Sequence, residues 1–266
     1  MLRRLKDIFI GIGINLQFFT TIPLRRELPM EQKHVSYALY SFPVLGLIQG
    51  GIYALFLFIA QSLPLSGLLV ALVLWLVLIA LSGGIHLDGW IDTSDAYFSF
   101  REKDKRLEIM KDPRVGAFGV LSIIVFLFVR FIVLYELIGF NEKIYVWVIL
   151  IPFLGKMILG AYLQALPAAR ESGMASFFKQ GARKGIWLAY VLFLLLMGLF
   201  LLFYAKELLL GYGILVSTLV LLGYGIAGKL VKNFGGITGD TLGASSEGME
   251  LALWIMVLLL HSFAMV

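Results

Sequence analysis

The sequence predicts an all-α, polytopic integral membrane protein with about seven transmembrane helices and a short N-terminal interfacial or re-entrant helix. Apolar residues make up 60% of the 266 residues and charged residues 15%. Ordinary globular domains have roughly 45–50% and 25%. The apolar residues are gathered in runs close to the roughly 20 residues that a helix needs to cross a bilayer. No repeat, low-complexity tract or linker divides the chain, so we expect one membrane-embedded domain over residues 1–266.

Seven apolar runs are candidate spans, of which the last has only 16 residues. We predict them at residues 35–60, 65–85, 115–137, 144–166, 185–204, 208–228 and 251–266. The run at residues 8–22 is short and contains Asn15 and Gln17. We therefore expect it to lie at the membrane interface or to re-enter the membrane, rather than to cross it.

The net charge of +5 is distributed unevenly between the two ends of the predicted spans. With the N-terminus in the cytoplasm, the cytoplasmic segments hold 18 of the 22 Lys and Arg residues; these segments are 1–34, 86–114, 167–184 and 229–250. The positive-inside rule predicts this asymmetry for a multi-pass membrane protein in that orientation. The basic residues therefore indicate orientation in a lipid bilayer and anionic substrates, not nucleic acid. Arg130, Glu136 and Lys156 fall in or near spans and receive no role from the sequence.

An acidic cluster follows the second predicted span. Asp88, Asp92 and Asp95 are spaced i, i+4, i+7, within about 60° of one another on a helix. Carboxylates on one face repel each other unless cations neutralise them. Mg²⁺ is usually bound by one or two carboxylates plus phosphate oxygens, so the cluster predicts a Mg²⁺ and phosphate site at the membrane surface. The alternative is a solvated acidic helix end. We favour the site because acids near membrane depth are usually functional.

A second acidic segment precedes the last predicted span. It is rich in glycine, and Asp240 and Glu247 are again spaced i, i+7, with Glu250 one turn beyond. It predicts a second set of ligands that faces the first across a helix interface. The alternative is a glycine-rich turn that caps the following helix.

Basic residues and one histidine accompany the acids. Lys111 and Arg114 flank Asp112 just before the third span, and Arg170 follows the fourth. Lys and Arg bind phosphates, although at span ends they also serve as membrane anchors. His86, two residues before Asp88, is a candidate ligand, base or hydrogen-bond donor. The chain has no cysteine, which excludes disulfides, thiolate metal sites and cysteine nucleophiles.

These segments together resemble the adenosylcobinamide-GDP ribazoletransferase, or cobalamin synthase, family. The matching segments are 18–23 (FFTTIP), 42–46 (FPVLG), 83–95 (GGIHLDGWIDTSD), 109–119 (IMKDPRVGAFG), 166–173 (LPAARESG) and 238–244 (TGDTLGA) followed by Glu247. They cover most of the chain in the family's order. One departure is Thr21, where we expect arginine in many relatives. A role for that arginine would be vacant here or filled by Arg25 or Arg26.

The resemblance implies a Mg²⁺-dependent transfer of adenosylcobinamide phosphate from adenosylcobinamide-GDP to α-ribazole or its 5'-phosphate, with release of GMP. For this chemistry we predict metal ligands at Asp88, Asp92, Asp240 and Glu247, with Asp95 as the base and a further ligand. His86 and Asp112 are weaker candidates for proton transfer. Lys111, Arg114 and Arg170 are predicted to hold the GDP phosphates. The oligomeric state, including a homo-oligomer, stays open.

Two other functions fit parts of the pattern. A CDP-alcohol phosphotransferase would use similar phosphoryl chemistry at an aspartate-rich helix. An ion-coupled transporter would also place carboxylates in glycine-broken membrane segments. Two features disfavour the transporter. The acids are predicted at span ends on one side, whereas transport sites lie near the midplane, and the chain has no pair of matched halves.

Overall fold

A computed structural model describes residues 2–140 and 143–263. In these two stretches the chain forms helices and no β-strand. The helices are α1 Leu2–Phe19, α2 Gln32–Tyr40, α3 Phe42–Ser62, α4 Gly67–Ser82, α5 Ile85–Phe98, α6 Lys103–Ile109, α7 Ala117–Phe140, α8 Ile144–Ala165, α9 Met174–Lys179, α10 Gly185–Tyr204, α11 Leu209–Phe234 and α12 Gly239–Ser262. A short 3₁₀ turn, Lys206–Leu208, precedes α11. The predicted all-α class is confirmed.

Six helical segments are long and apolar enough to cross a membrane. They are α3, α7, α8, α10, α12 and the segment made of the 3₁₀ turn and α11. Helix α4 qualifies only together with α5, and the two are bent by 84° at a short break. Within the described residues the number of candidate spans is therefore six, or seven if the bent pair is one span. This agrees with the predicted polytopic architecture of about seven.

The first predicted span, 35–60, divides into two helices. Helix α2 ends at Tyr40, and α3 begins at Phe42 with Pro43 in its first turn. Proline lacks an N–H and is tolerated where a helix starts, so a new helix begins here. Asn15 of α1 is buried against the break, where its side-chain amide donates to the Ala38 carbonyl (2.7 Å) and the Ser41 hydroxyl (3.1 Å). This polar residue therefore marks a protein contact of α1.

The last predicted span, 251–266, starts too late. Helix α12 begins at Gly239, because Thr238 forms a reciprocal cap with Thr241. The Thr238 hydroxyl accepts from the Thr241 N–H, and the Thr241 hydroxyl accepts from the Thr238 N–H. The second acidic segment is therefore the first half of this span. Glu247 and Glu250 lie eight and eleven residues beyond Gly239, about 12 and 17 Å along the helix.

Helices α8 and α12 form the centre of the bundle. Over its most apolar stretch α8 is 78% buried and α12 is 61% buried, against 17% for α10. Close packing of α3 on α8 depends on small residues. A β-carbon on Gly50 would lie 2.6 Å from Ile149 Cα, and one on Gly46 would lie 2.6 Å from Phe153 Cα. Helix α12 packs against α5, α7, α8 and α11. Residues on α12 therefore face several neighbours at once.

Candidate functional site

Two glycines turn the first acidic cluster onto the start of α12. Gly83 (φ 67°) and Gly84 (φ 76°) both adopt left-handed conformations, which other residues rarely adopt, and they produce the bend between α4 and α5. Helix α5 then crosses α12 so closely that the two backbones are in contact at Gly89 and Gly243. A β-carbon on Gly89 would lie 2.6 Å from the Asp240 carbonyl oxygen, and one on Gly243 would lie 3.0 Å from His86 Cα. The crossing brings the helix of Asp88 onto the helix of Asp240.

A short pairing between two loops brings Arg170 to the same place. The segment after α8 runs parallel to the segment before α12. The Ala169 N–H donates to the Ile237 carbonyl (2.9 Å), and the Ile237 N–H donates to the Pro167 carbonyl (2.9 Å). Arg170 follows directly, and its guanidinium donates to the Leu107 carbonyl (2.7 Å). A predicted phosphate-binding residue is therefore fixed beside the N-terminus of α12.

A cavity of about 210 Å³ opens where these elements meet. Its polar wall contains His86, Asp88, Arg170, Thr238 and Asp240. Its apolar wall comes from α1, α8, α9 and α12, through Phe19, Leu159, Leu163, Phe178 and Leu242. Phe19 and Leu242 belong to the segments FFTTIP and TGDTLGA, whereas Leu159, Leu163 and Phe178 lie in no such segment and look like any other core residue of a membrane helix. The cavity thus joins an anionic rim to an apolar interior.

The carboxylates in and next to this cavity outnumber the cations. Asp92 lies one turn beyond Asp88 on α5, outside the cavity wall, and it is repelled by Asp88, Asp240 and Asp95 and attracted by Arg170. Asp240 is attracted by Arg170 and repelled by Asp88, and it accepts a hydrogen bond from the Thr238 hydroxyl (3.3 Å). Asp88, Asp92 and Asp240 therefore face Arg170 with three negative charges against one positive charge. We call this group the acidic rim.

Asp95 makes different contacts from the acidic rim. One carboxylate oxygen accepts from the Gly116 N–H (2.7 Å) and the other from the Gly119 N–H (2.8 Å). Asp95 thereby caps the N-terminus of α7, where free N–H groups need acceptors. A side chain on Gly116 or Gly119 would clash with this carboxylate. The glycines in segment 109–119 thus make room for a cap, and the predicted role of Asp95 as base or metal ligand has no support in this geometry.

The loop before α7 does not line the cavity. Lys111 is exposed, and Asp112 and Arg114 pair with each other. The Arg114 side chain donates to the Asp112 carboxylate at 2.9 and 2.6 Å, and its backbone N–H donates at 3.0 Å. These bonds lower the pKa of Asp112 to about 2, so its carboxylate is ionised at neutral pH. Of the predicted phosphate-binding residues, the structure brings Arg170 into the cavity and leaves Lys111 and Arg114 outside its wall.

Glu247 forms a buried ion pair with Arg130 and also lies near His86, which lines the cavity. An oxygen of Glu247 lies 2.5 Å from a guanidinium nitrogen of Arg130 on α7, and the other lies 3.7 Å from His86 Nδ1. Arg130 also lies over the Phe126 ring, 4.6 Å from its centroid. Arg130 and Glu247 are 2% and 3% exposed. The predicted metal ligand Glu247 is therefore already neutralised by an arginine, which sequence reasoning left without a role.

Glu250 forms a second buried pair one turn further along α12. Lys156 of α8 donates to the Glu250 carboxylate (2.7 Å) and lies 3.2 Å from the Ser246 hydroxyl. Gly155 makes room for the Glu250 side chain, because a β-carbon there would clash with it. The sequence did contain a signal for these pairs. Arg130 and Lys156 lie inside apolar runs, where a cation needs an acidic partner within the membrane.

The described residues contain no group of three or more His, Asp or Glu side chains arranged to hold a metal ion. Carboxylates of the acidic rim are nevertheless the donor type that Mg²⁺ prefers, and Mg²⁺ usually takes only one or two from a protein. The predicted Mg²⁺ site thus stays a prediction.

Comparison with known proteins identifies relatives over almost the whole chain. A family profile described as Cobalamin-5-phosphate synthase matches residues 11–258. Proteins named adenosylcobinamide-GDP ribazoletransferase are similar at full length. The one from Geobacillus sp. (strain WCH70) is 35% identical over 98% of this chain and 100% of its own. Those from Geobacillus thermodenitrificans and Geobacillus kaustophilus are 38% and 39% identical, with the same coverage. No solved structure matches the chain.

Proposed function

The chain belongs to the cobalamin-5-phosphate synthase family, and on that premise we propose that it is a Mg²⁺-dependent adenosylcobinamide-GDP ribazoletransferase. Its substrates would be adenosylcobinamide-GDP and α-ribazole or α-ribazole 5'-phosphate. A ribazole hydroxyl oxygen forms the new bond to the corrinoid-side phosphorus. The pyrophosphate bond breaks, GMP leaves, and the hydroxyl proton passes to an acceptor. The products are adenosylcobalamin, or its 5'-phosphate, and GMP.

The acidic rim is the observation that carries this proposal. Asp88, Asp92 and Asp240 repel one another beside a cavity, and Arg170 alone does not balance them. We propose that carboxylates of this group would hold the Mg²⁺ that accompanies a pyrophosphate substrate, because Mg²⁺ is usually bound by one or two carboxylates together with substrate phosphates. When bound, the ion neutralises phosphate charge and stabilises the leaving group. Arg170 donates to a phosphate oxygen on the same side of the cavity.

The remaining predicted roles divide by position. Of the three residues predicted for proton transfer, His86 lines the cavity, while Asp95 caps α7 and Asp112 pairs with Arg114 outside it. We assign the proton of the ribazole hydroxyl to His86. The apolar wall, which includes Phe19, Leu159 and Phe178, is suited to the apolar base of α-ribazole.

We also propose the location of the reaction. The acidic rim lies at the ends of α8 and α12 that face the basic segments 86–114 and 167–184. The positive-inside rule assigns those segments to the cytoplasm. The site would then open on the cytoplasmic side of the bacterial inner membrane.

Turnover by purified protein in liposomes tests the proposal. Adenosylcobinamide-GDP, α-ribazole and Mg²⁺ are supplied, and corrinoid product and GMP are measured together. We expect equal amounts of both, lost on addition of EDTA and restored by excess Mg²⁺. Activity that survives EDTA would contradict the metal assignment alone. If folded protein instead releases CMP from CDP-diacylglycerol in the presence of an alcohol, and gives no GMP, the CDP-alcohol phosphotransferase function replaces the one proposed.

A further inference from the structure

A second concave surface lies on the side of α8 that faces away from the cavity. It is a groove of about 380 Å³ between α8, α10 and α11. Its walls include Ile158, Tyr162, Trp187, Val191, Val220 and Tyr224. Leu159 and Leu163, the neighbours of Ile158 and Tyr162 along α8, line the cavity instead. The groove and the cavity are therefore separate sites on opposite faces of one helix.

The groove fits an apolar chain lying along the bundle. Its lining runs from Met157 to Ala165 on α8, about 12 Å at 1.5 Å per residue, against about 15 Å for one leaflet of a bilayer core. The hydroxyls of Tyr162 and Tyr190 are already used, since they donate to the Gly223 carbonyl (2.7 Å) and the Leu39 carbonyl (2.7 Å). An occupant consequently meets mainly hydrocarbon.

Cations gather at one end of the groove. Leu166 lines that end, and its carbonyl accepts a hydrogen bond from Lys179 Nζ (2.5 Å). Arg183 and Lys184 are exposed and stand about one turn before Trp187. Among the described residues none of these three cations forms an ion pair with a carboxylate. Burial lowers the pKa of Lys179, with no carboxylate opposing the shift.

We propose that this groove binds one anionic phospholipid, with an acyl chain along α8, α10 and α11 and the phosphate at Lys179, Arg183 and Lys184. Two observations select this occupant. The groove starts at the basic end of the helices and stops within one leaflet, as a lipid chain does. The unpaired cations would repel the same end of a second copy of the chain, whereas they attract a phosphate. The proposal concerns a site apart from the acidic rim and does not depend on the reaction assigned to it.

Tryptophan quenching by brominated lipids tests the proposal. The full chain is reconstituted in phosphatidylcholine bilayers with a small fraction of dibrominated phosphatidylglycerol, or the same fraction of dibrominated phosphatidylcholine. Bromine on the acyl chain quenches a tryptophan on contact, and subtraction of the Trp187→Phe variant isolates Trp187 from the other four tryptophans. We expect phosphatidylglycerol to quench Trp187 with an apparent affinity about fivefold or more above phosphatidylcholine.

Matched variants separate the groove from the general charge of the protein. In Arg183→Gln/Lys184→Gln the preference should fall below about twofold. In Arg101→Gln/Lys103→Gln, which removes two exposed cations from another segment with the same predicted orientation, it should persist. Equal quenching of the wild type by both lipids would overturn the proposal, and so would a preference unchanged by Arg183→Gln/Lys184→Gln. Protection of Trp187 from both lipids in a dimeric protein would overturn it too, in favour of a second copy.

Discussion

Apart from Asp95, which caps α7, the carboxylates of α5 and α12 fall into two groups that differ in how their charge is balanced. At the end of the bundle, the acidic rim sets Asp88, Asp92 and Asp240 against Arg170. Deeper along α12, Glu247 faces Arg130 and Glu250 faces Lys156, one cation for each acid. The rim is therefore charged, and the interior is neutral. Because like charges held together raise the free energy of the folded protein, a cation that binds at the rim would lower it.

The same comparison bears on the transporter alternative. The prediction that the acids lie only at span ends is wrong for Glu247 and Glu250, which lie inside α12. The pairing of Glu247 and Glu250 nevertheless disfavours a transporter. An ion path needs carboxylates that can exchange a cation, whereas these two are bound to fixed side chains of α7 and α8.

The largest effect should come from neutralising the acidic rim. We expect Asp88→Asn, Asp92→Asn and Asp240→Asn each to lower turnover by on the order of 10²-fold or more, because each removes charge that opposes the phosphates' counter-ion. The thermal midpoint should stay the same or rise, since repulsion is relieved. Turnover in liposomes and thermal unfolding give the two values for each variant. Glu108→Gln, an exposed carboxylate on α6, is the matched control and should leave turnover unchanged.

Full turnover in all three folded rim variants would mean that the acidic rim has no role in the reaction. The carboxylates would then be a solvated helix face, which is the alternative that the sequence left open.

A stability loss should follow from breaking a buried pair. Glu247→Gln or Arg130→Met should lower the free energy of unfolding by about 3–5 kcal/mol, because each leaves a charge unpaired in the bundle. The double variant Arg130→Met/Glu247→Leu should recover most of this loss, since it removes both charges. Denaturant titration in detergent measures these values. Glu207→Gln, the same change in the exposed pair with Lys143, should have no measurable effect.

Glu247→Gln also distinguishes the two roles proposed for this residue. A variant with normal stability and no Mg²⁺-dependent turnover would support Glu247 as a metal ligand, as the sequence predicts.

A smaller effect on activity is expected at Asp95. Asp95→Asn should lower the free energy of unfolding by about 1 kcal/mol through the weakened cap of α7, and turnover by less than about tenfold. A general base would instead contribute about 10²–10⁴-fold. Turnover relative to Asp92→Asn decides between the two roles. A loss at Asp95 equal to that at Asp92 would identify Asp95 as part of the reaction.

Much of the fold was predictable because hydrophobic runs and charge asymmetry are properties of the sequence itself. The predicted span 185–204 coincides with α10, and the acidic residues Asp88, Asp92 and Asp95 do share one helix. The start of α12 was missed because its first half is polar, and hydropathy does not reveal a cap such as that between Thr238 and Thr241.

The candidate site was predictable by residue type but not by partner. Helical spacing put Asp95 on the same face as Asp92, yet it could not show that the N-terminus of α7 reaches Asp95. Likewise, Glu247 and Arg130 are 117 residues apart, and their contact depends on how α7 and α12 pack. Glu247 has the same spacing in the chain whether it binds a metal ion or an arginine.

The buried pairs have a consequence for how the protein is made. Arg130 and Lys156 precede their glutamates by 117 and 94 residues, so α7 and α8 leave the ribosome well before α12 does. During this interval each cation stands near the middle of an apolar helix without its partner, at a cost of about 2.5–3.5 kcal/mol per residue. Pairing with the last helix removes this cost, and the same helix supplies Asp240 of the acidic rim.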